Sequence, residues 1–141
     1  MKFQKRKLKE IAKKYKIADI YLFGSRVLGF EKKESDFDIA VRFKGGLPKP
    51  EKIGKIYGDL FSDFQTIFKG KKIDLVFIQE LPLHFQYKIL TEGKLIFSEN
   101  LEDSLNFLEK IANLYRDYKF FIDEYFEGIL EAPIKRNGTK N

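Results

Sequence analysis

Three short apolar runs constrain what this chain can become: "IADIYLF" (17–23), "DFDIAVRF" (36–43) and "KKIDLVFI" (71–78). Each has the length of a strand, and the second alternates apolar and polar residues as a strand with two distinct faces does. The segments between them read differently. Residues 3–15 space Phe3, Leu8, Ile11, Ala12 and Tyr15 as one helical face, and Glu51 to Phe68 reads as a helix that Gly70 stops. "SRVLGF" (25–30) suits one or two helical turns with Ser25 as N-cap, and "EKKES" and "KGGLPKP" are polar connections. Pro82 opens a helix carrying Phe85, Ile89 and Leu90, Gly93 closes it, and "KLIF" (94–97) follows as a short strand. A last helical pattern runs from Leu101 to about Glu131 and is expected to end at Pro133, leaving a polar tail over 133–141. Strands interleaved with helices predict an α+β (α/β-like) fold: a small mixed sheet flanked by helices, in one domain over residues 1–132.

Composition removes several chemistries. The 141 residues include no Cys, which excludes disulfides, thiolate metal sites and a Cys nucleophile. The first residues lack the apolar core of a secretion signal, and no run approaches the length of a membrane span, so a cytoplasmic protein without membrane contact is expected. The net charge of +6 is concentrated at the start: residues 2–16 hold eight Lys or Arg against Glu10 alone. Such a patch attracts nucleic acid or a polyphosphate nucleotide, or is simply a solvated helix face; the second reading is preferred, and direct nucleic-acid binding is not expected.

The strand at 36–43 poses the chemical question. Alternation sends Phe37, Ile39, Val41 and Phe43 one way and Asp36, Asp38, Ala40 and Arg42 the other. Two aspartates on one face stand about 6–7 Å apart and repel. A hard divalent cation relieves that repulsion, and oxygen donors without His or Cys suit Mg²⁺. The alternative is an amphipathic strand with a solvated acidic face. Asp74 sits in a strand apolar on both faces, where a carboxylate needs a partner: either a metal shared with Asp36 and Asp38, or backbone hydrogen bonds at the strand end. Gly24-Ser25, at a strand-to-helix corner, offers backbone N–H groups and a hydroxyl to a phosphate, and Arg26 follows directly. Arg42, on the carboxylate face, is placed to neutralise Asp38. His84, the single histidine, receives no catalytic role.

Gly24-Ser25, ten intervening residues, Asp36-Phe37-Asp38 and a later strand aspartate, Asp74, resemble the nucleotidyltransferase signature of the DNA polymerase β superfamily. "GSRVLGFEKKESDFDIAV" is similar to the minimal nucleotidyltransferase (MNT, MntA-type antitoxin) family, which often has a small residue where Val27 or Leu28 stands. The resemblance implies a polymerase β-like fold, ATP as substrate, and two Mg²⁺ ions held by Asp36, Asp38 and Asp74, with Asp74 also helping to deprotonate the acceptor. It implies phosphate contacts from Gly24, Ser25 and Arg26. It further implies AMP transfer to a tyrosine of a HEPN-domain ribonuclease toxin as partner. Transfer to a small molecule or an RNA end, and a non-catalytic antitoxin that acts by contact, are the alternatives.

The long helix carries two apolar stripes, one including Leu101, Leu105, Leu108, Ala112 and Tyr115, the other Phe107, Ile111, Leu114, Tyr118 and Phe121. A domain of this size has a radius of gyration near ~14–15 Å. The helix is longer than that core, so the distal part of the stripe is expected to face a partner or a second copy.

Overall fold

The computed structural model describes residues 5–24 and 35–137, the last eight of these by backbone alone. Four strands, β1 (Ile17–Phe23), β2 (Phe37–Phe43), β3 (Ile73–Phe77) and β4 (Lys94–Ser98), form one mixed sheet in the order β3-β2-β1-β4. β1 runs antiparallel to both β2 and β4, while β2 and β3 are parallel. The expected α+β architecture is the observed one.

Helices α1 (Lys5–Tyr15) and α2 (Pro50–Ile67) cover one face. There Leu8, Ile11, Leu60 and Phe64 pack on Ile20, Ile39, Val41 and Phe77. Gly70 adopts a positive φ of 76° after α2, a conformation that glycine reaches without Cβ strain, and the chain turns into β3. Helices α3 (Leu83–Glu92) and α4 (Leu101–Asn137) cover the other face, where Tyr21, Phe23, Ala40, Ile78, Ile89, Leu90 and Ile111 form a second core. A single 3-10 turn, Ile78–Glu80, links β3 to α3.

The structure departs from the sequence reading at several places. Asp36 lies in a bend before β2, so strand alternation does not extend to it. β2 does not present its carboxylate to solvent: Asp38 is 2% exposed and Ala40 and Arg42 are also buried, the last two against α3 and α4. α4 continues through Pro133 to Asn137. Proline removes one N–H donor and so one hydrogen bond to Ile129, a loss confined to the helix's last turns. Last, the two stripes of α4 are one seam. Leu101 and Leu105 face outward, while Ser104 and Ile111 are buried and Phe107 and Leu108 pack against the second core. "SRVLGF" and most of "EKKES" fall outside the described residues.

A buried polar network fastens α4 to the sheet. Asp19 of β1 is fully buried and accepts a 2.5 Å hydrogen bond from Arg42 Nε and another from Ser104 Oγ. Arg42 Nη2 donates to Asp103 in the first turn of α4 at 2.7 Å, and its guanidinium lies 4.6 Å from the Phe107 ring centroid. Arg42 therefore serves Asp19 and Asp103. Asp38, two alternations back along β2, is roughly 13 Å away along the strand. Burial opposes the Arg42 charge, but the bonds to Asp19 and Asp103 outweigh it and raise its pKa above the ordinary value.

Candidate functional site

The in-register parallel pairing of β2 with β3 sets Asp38 directly opposite Asp74. Parallel neighbours at matching positions point to the same face, so the two carboxylates share the α3/α4 side of the sheet. Asp38 is also opposite Phe23, the last residue of β1, so Gly24 leaves the sheet beside the carboxylates. This corner, where β1 ends and β2 and β3 begin, gathers Gly24, Asp38 and Asp74. Ser25 and Arg26 follow at once in the chain but lie outside the described residues.

Asp38 is held from its own loop: Ser35 Oγ donates to Asp38 Oδ1. Asp74 is exposed, and its Oδ1 accepts the N–H of Leu75 at 3.0 Å, the strand-end backbone bond that was one of its two expected uses. Asp36 has a different setting. Its N–H donates to the Lys72 carbonyl at 2.7 Å, and its Oδ2 accepts the Lys72 N–H at 2.9 Å. That reciprocal pair ties the approach to β2 to the approach to β3, and so helps fix the register that puts Asp38 against Asp74. Among the described residues, no three His, Cys, Asp or Glu side chains gather tightly enough to hold a metal ion. The donor chemistry nevertheless fits Mg²⁺: one buried and one exposed carboxylate face each other in register, with a third at the same end of the sheet, all oxygen and no nitrogen or sulfur.

Two neighbours shape this corner without any sequence motif pointing to them. Gly93 closes α3 against the end of β1; a Cβ there would lie 2.5 Å from the Ile89 carbonyl oxygen and 3.1 Å from that of Leu22. The sequence marks Gly93 as a helix stop but not as a close-approach point. Tyr57 of α2 donates its hydroxyl to the Leu75 carbonyl at 2.7 Å, bracing β3 next to Asp74. Its pKa is raised, first by burial and then by the negative charge of Asp74. Two open clefts of about 290 and 280 Å³ lie at the other face, along α1 and α2, and are lined by Lys7, Thr66 and Ile67 among others. Neither is lined by Asp38 or Asp74; the pairing register marks the carboxylate corner.

Residues 6–102 match the family model described as polymerase beta, nucleotidyltransferase. The chain belongs to that family. The matched span takes in α1 through β4, and with them all three aspartates, and ends at Glu102, the second residue of α4. A Methanocaldococcus jannaschii relative named protein adenylyltransferase MJ1547 is 30% identical over 122 residues, covering 86% of this chain and 88% of its own. Among solved structures, a chain from a toxin-antitoxin complex with AMP-PNP superposes with a TM-score of 0.62 at 21% identity, covering 90% of this chain and 98% of that one. A chain from the complex of tri-AMPylated Shewanella oneidensis HEPN toxin with MNT antitoxin gives 0.59 at 20% identity, covering 89% and 95%. At that identity the likeness is one of fold, and the nucleotidyltransferase fold is common to all of them. No helix among the described residues is long and apolar enough to cross a membrane.

Proposed function

We propose that this nucleotidyltransferase is an Mg²⁺-dependent protein adenylyltransferase of the MNT antitoxin type, moving AMP from ATP to a tyrosine hydroxyl of a HEPN-type toxin. The observation that carries the reading is the register of β2 on β3, which sets buried Asp38 against exposed Asp74 at the corner where Gly24 leaves β1. The name of the matched relative and the AMPylated toxin in the neighbouring complex support the acceptor class.

Asp36, Asp38 and Asp74 would hold the Mg²⁺. Bound there, Mg²⁺ supplies positive charge to the phosphate oxygens and makes the acceptor hydroxyl more acidic. Asp38, buried and fixed by Ser35, is the rigid member of the set. Asp74 is exposed and reaches the incoming hydroxyl, whose proton it accepts as the oxygen attacks the α-phosphorus and pyrophosphate leaves. Gly24, with no side chain, lets the end of β1 approach the triphosphate, and Ser25 and Arg26 are assigned to its β- and γ-phosphates.

The test is mass spectrometry of the product of the neighbouring reading frame after incubation with this chain, ATP and Mg²⁺. One AMP group per modified tyrosine is expected, and none with Asp38→Asn. An unmodified partner that is nonetheless bound and silenced would replace this reading with an antitoxin that acts by contact.

A further inference from the structure

The seam of α4 is continuous, but among the described residues only its first half has a partner within the chain. From Ser104 onward the inward positions advance by alternating steps of four and three, through Leu108, Ile111 and Tyr115 to Tyr118, Ile122, Tyr125 and Ile129. This is the 3.5-residue repeat that keeps one helix face against another helix. Through Tyr115 the seam is covered: Ile111 is buried, and Tyr115 stacks on Tyr87 of α3 with ring centroids 4.4 Å apart. Beyond it the seam is open except at Ile122, which is half-buried. Tyr118, Tyr125 and Ile129 are 52%, 57% and 38% exposed, and the flanking Phe121 and Phe126 are 68% and 54% exposed.

A second observation falls on the same stretch. Gly128 lies inside α4 one residue from the seam, and a Cβ added there would meet nothing within 4 Å. Glycine weakens a helix interior relative to alanine, and nothing among the described residues requires one here. Close approach of another helix does.

We propose that a second copy of this chain covers the open half, the two α4 helices running antiparallel about a twofold axis beside residues 123 and 124. In that register Tyr118 of one copy meets Ile129 of the other, and Ile122 meets Tyr125, so each layer sets an aromatic ring against a β-branched side chain. On one flank Phe121 lies over Gly128, the ring filling the space the glycine leaves. On the other, the aliphatic stem of Lys119 lies along Phe126. A parallel pairing would stack like on like, align the two helix dipoles and crowd both sheets at one end. The area agrees with a second copy. A fully buried aromatic side chain covers ~150–250 Å². At the observed exposures Tyr118, Phe121, Tyr125 and Phe126, with Leu114 and Ile129, leave roughly 600 Å² open per chain. Two copies then bury up to about 1,200 Å² from these residues, the lower end of specific protein–protein interfaces.

Sedimentation velocity on the full chain, over a wide concentration range, tests this. The expected mass rises to twice that of the monomer. Gly128→Leu restores a good helix former but fills the contact, so it is expected to stay monomeric while its circular-dichroism melt is unchanged or higher. Tyr118→Cys/Ile129→Cys is expected to cross-link between chains under oxidation, and Tyr118→Cys alone is not. A chain monomeric at every concentration, a Gly128→Leu dimer as tight as wild type, or a cross-link through Tyr118→Cys alone would each overturn the proposal. So would a stripe that binds only a different protein. The readouts are mass and cross-linking, so failure here leaves the adenylyl-transfer reading untouched.

Discussion

Replacing Arg42 with leucine is expected to be the most damaging single change in the molecule outside the apolar core. Arg42 is the counter-charge of Asp19, which is fully buried and bonded to Arg42 Nε at 2.5 Å. Removing one member of a buried pair leaves an uncompensated charge and costs about 3–5 kcal/mol. At ~2.1 cal/mol/K per residue, a chain of this length loses about 3–4 °C of melting temperature per kcal/mol, so a fall of roughly 10–15 °C is expected. The reverse change, Asp19→Leu, is expected to cost less. Arg42 would keep Asp103, whose side chain is 58% exposed and holds Nη2 at 2.7 Å, and it would keep its contact with Phe107. The double variant Asp19→Leu/Arg42→Leu leaves no buried charge and is expected to be more stable than Arg42→Leu alone. Denaturant titrations of the three variants give the double-mutant cycle. If Arg42→Leu loses less than about 1 kcal/mol, or if the two single losses simply add, the network is not what anchors α4, and the reasoning fails.

Four further outcomes follow from the structure. Asp38→Asn is expected to abolish adenylyl transfer without unfolding the chain. Asp74→Asn is expected to lower kcat by about a hundredfold or more with little change in ATP affinity, and equal losses in both would make Asp74 a ground-state contact only. Gly93→Ala is expected to cost about 1–3 kcal/mol in thermal melts, because its Cβ would meet the Ile89 and Leu22 carbonyl oxygens and force α3 away from β1; an unchanged melt would show that the contact yields freely. Burial, reinforced by the Asp19 charge and partly offset by Arg42, pushes the Tyr21 phenol up to about 12. The unfolded chain therefore releases this proton first, and the stability it contributes is present below about pH 10 and lost as pH rises toward 12. Subtracting the stability–pH curve of Tyr21→Phe isolates that loss, and superimposable curves above pH 10 would remove it.

Local pattern was enough for the elements and for one strand of the chemistry. β1 coincides with "IADIYLF", and α2, α3 and β4 fall within a residue or two of their expected limits, because spacing of apolar residues and stops at Gly70 and Gly93 act over a few neighbours. Asp38 and Asp74 were legible as carboxylates in strands that otherwise read as core. Their partnership was one of the two uses open to Asp74 and was implied by the family resemblance, but local pattern alone did not fix it. It depends on β2 and β3 lying side by side in parallel and in register, across a connection that includes the whole of α2, and no local rule fixes that register. The same limit misplaced Asp36 and gave Arg42 the wrong partner. Alternation put Asp36 on the strand, but hydrogen bonds with Lys72, 36 residues away, hold it in the bend before it. Alternation put Arg42 on the face of Asp38, but the closer carboxylates are Asp19 and Asp103, brought there by β1 and α4. The α4 seam divides in the same way. Its repeat is written in the sequence, but where α3 stops covering it is decided by how the helices pack, since a helix carries its own period and not the length of the core that receives it.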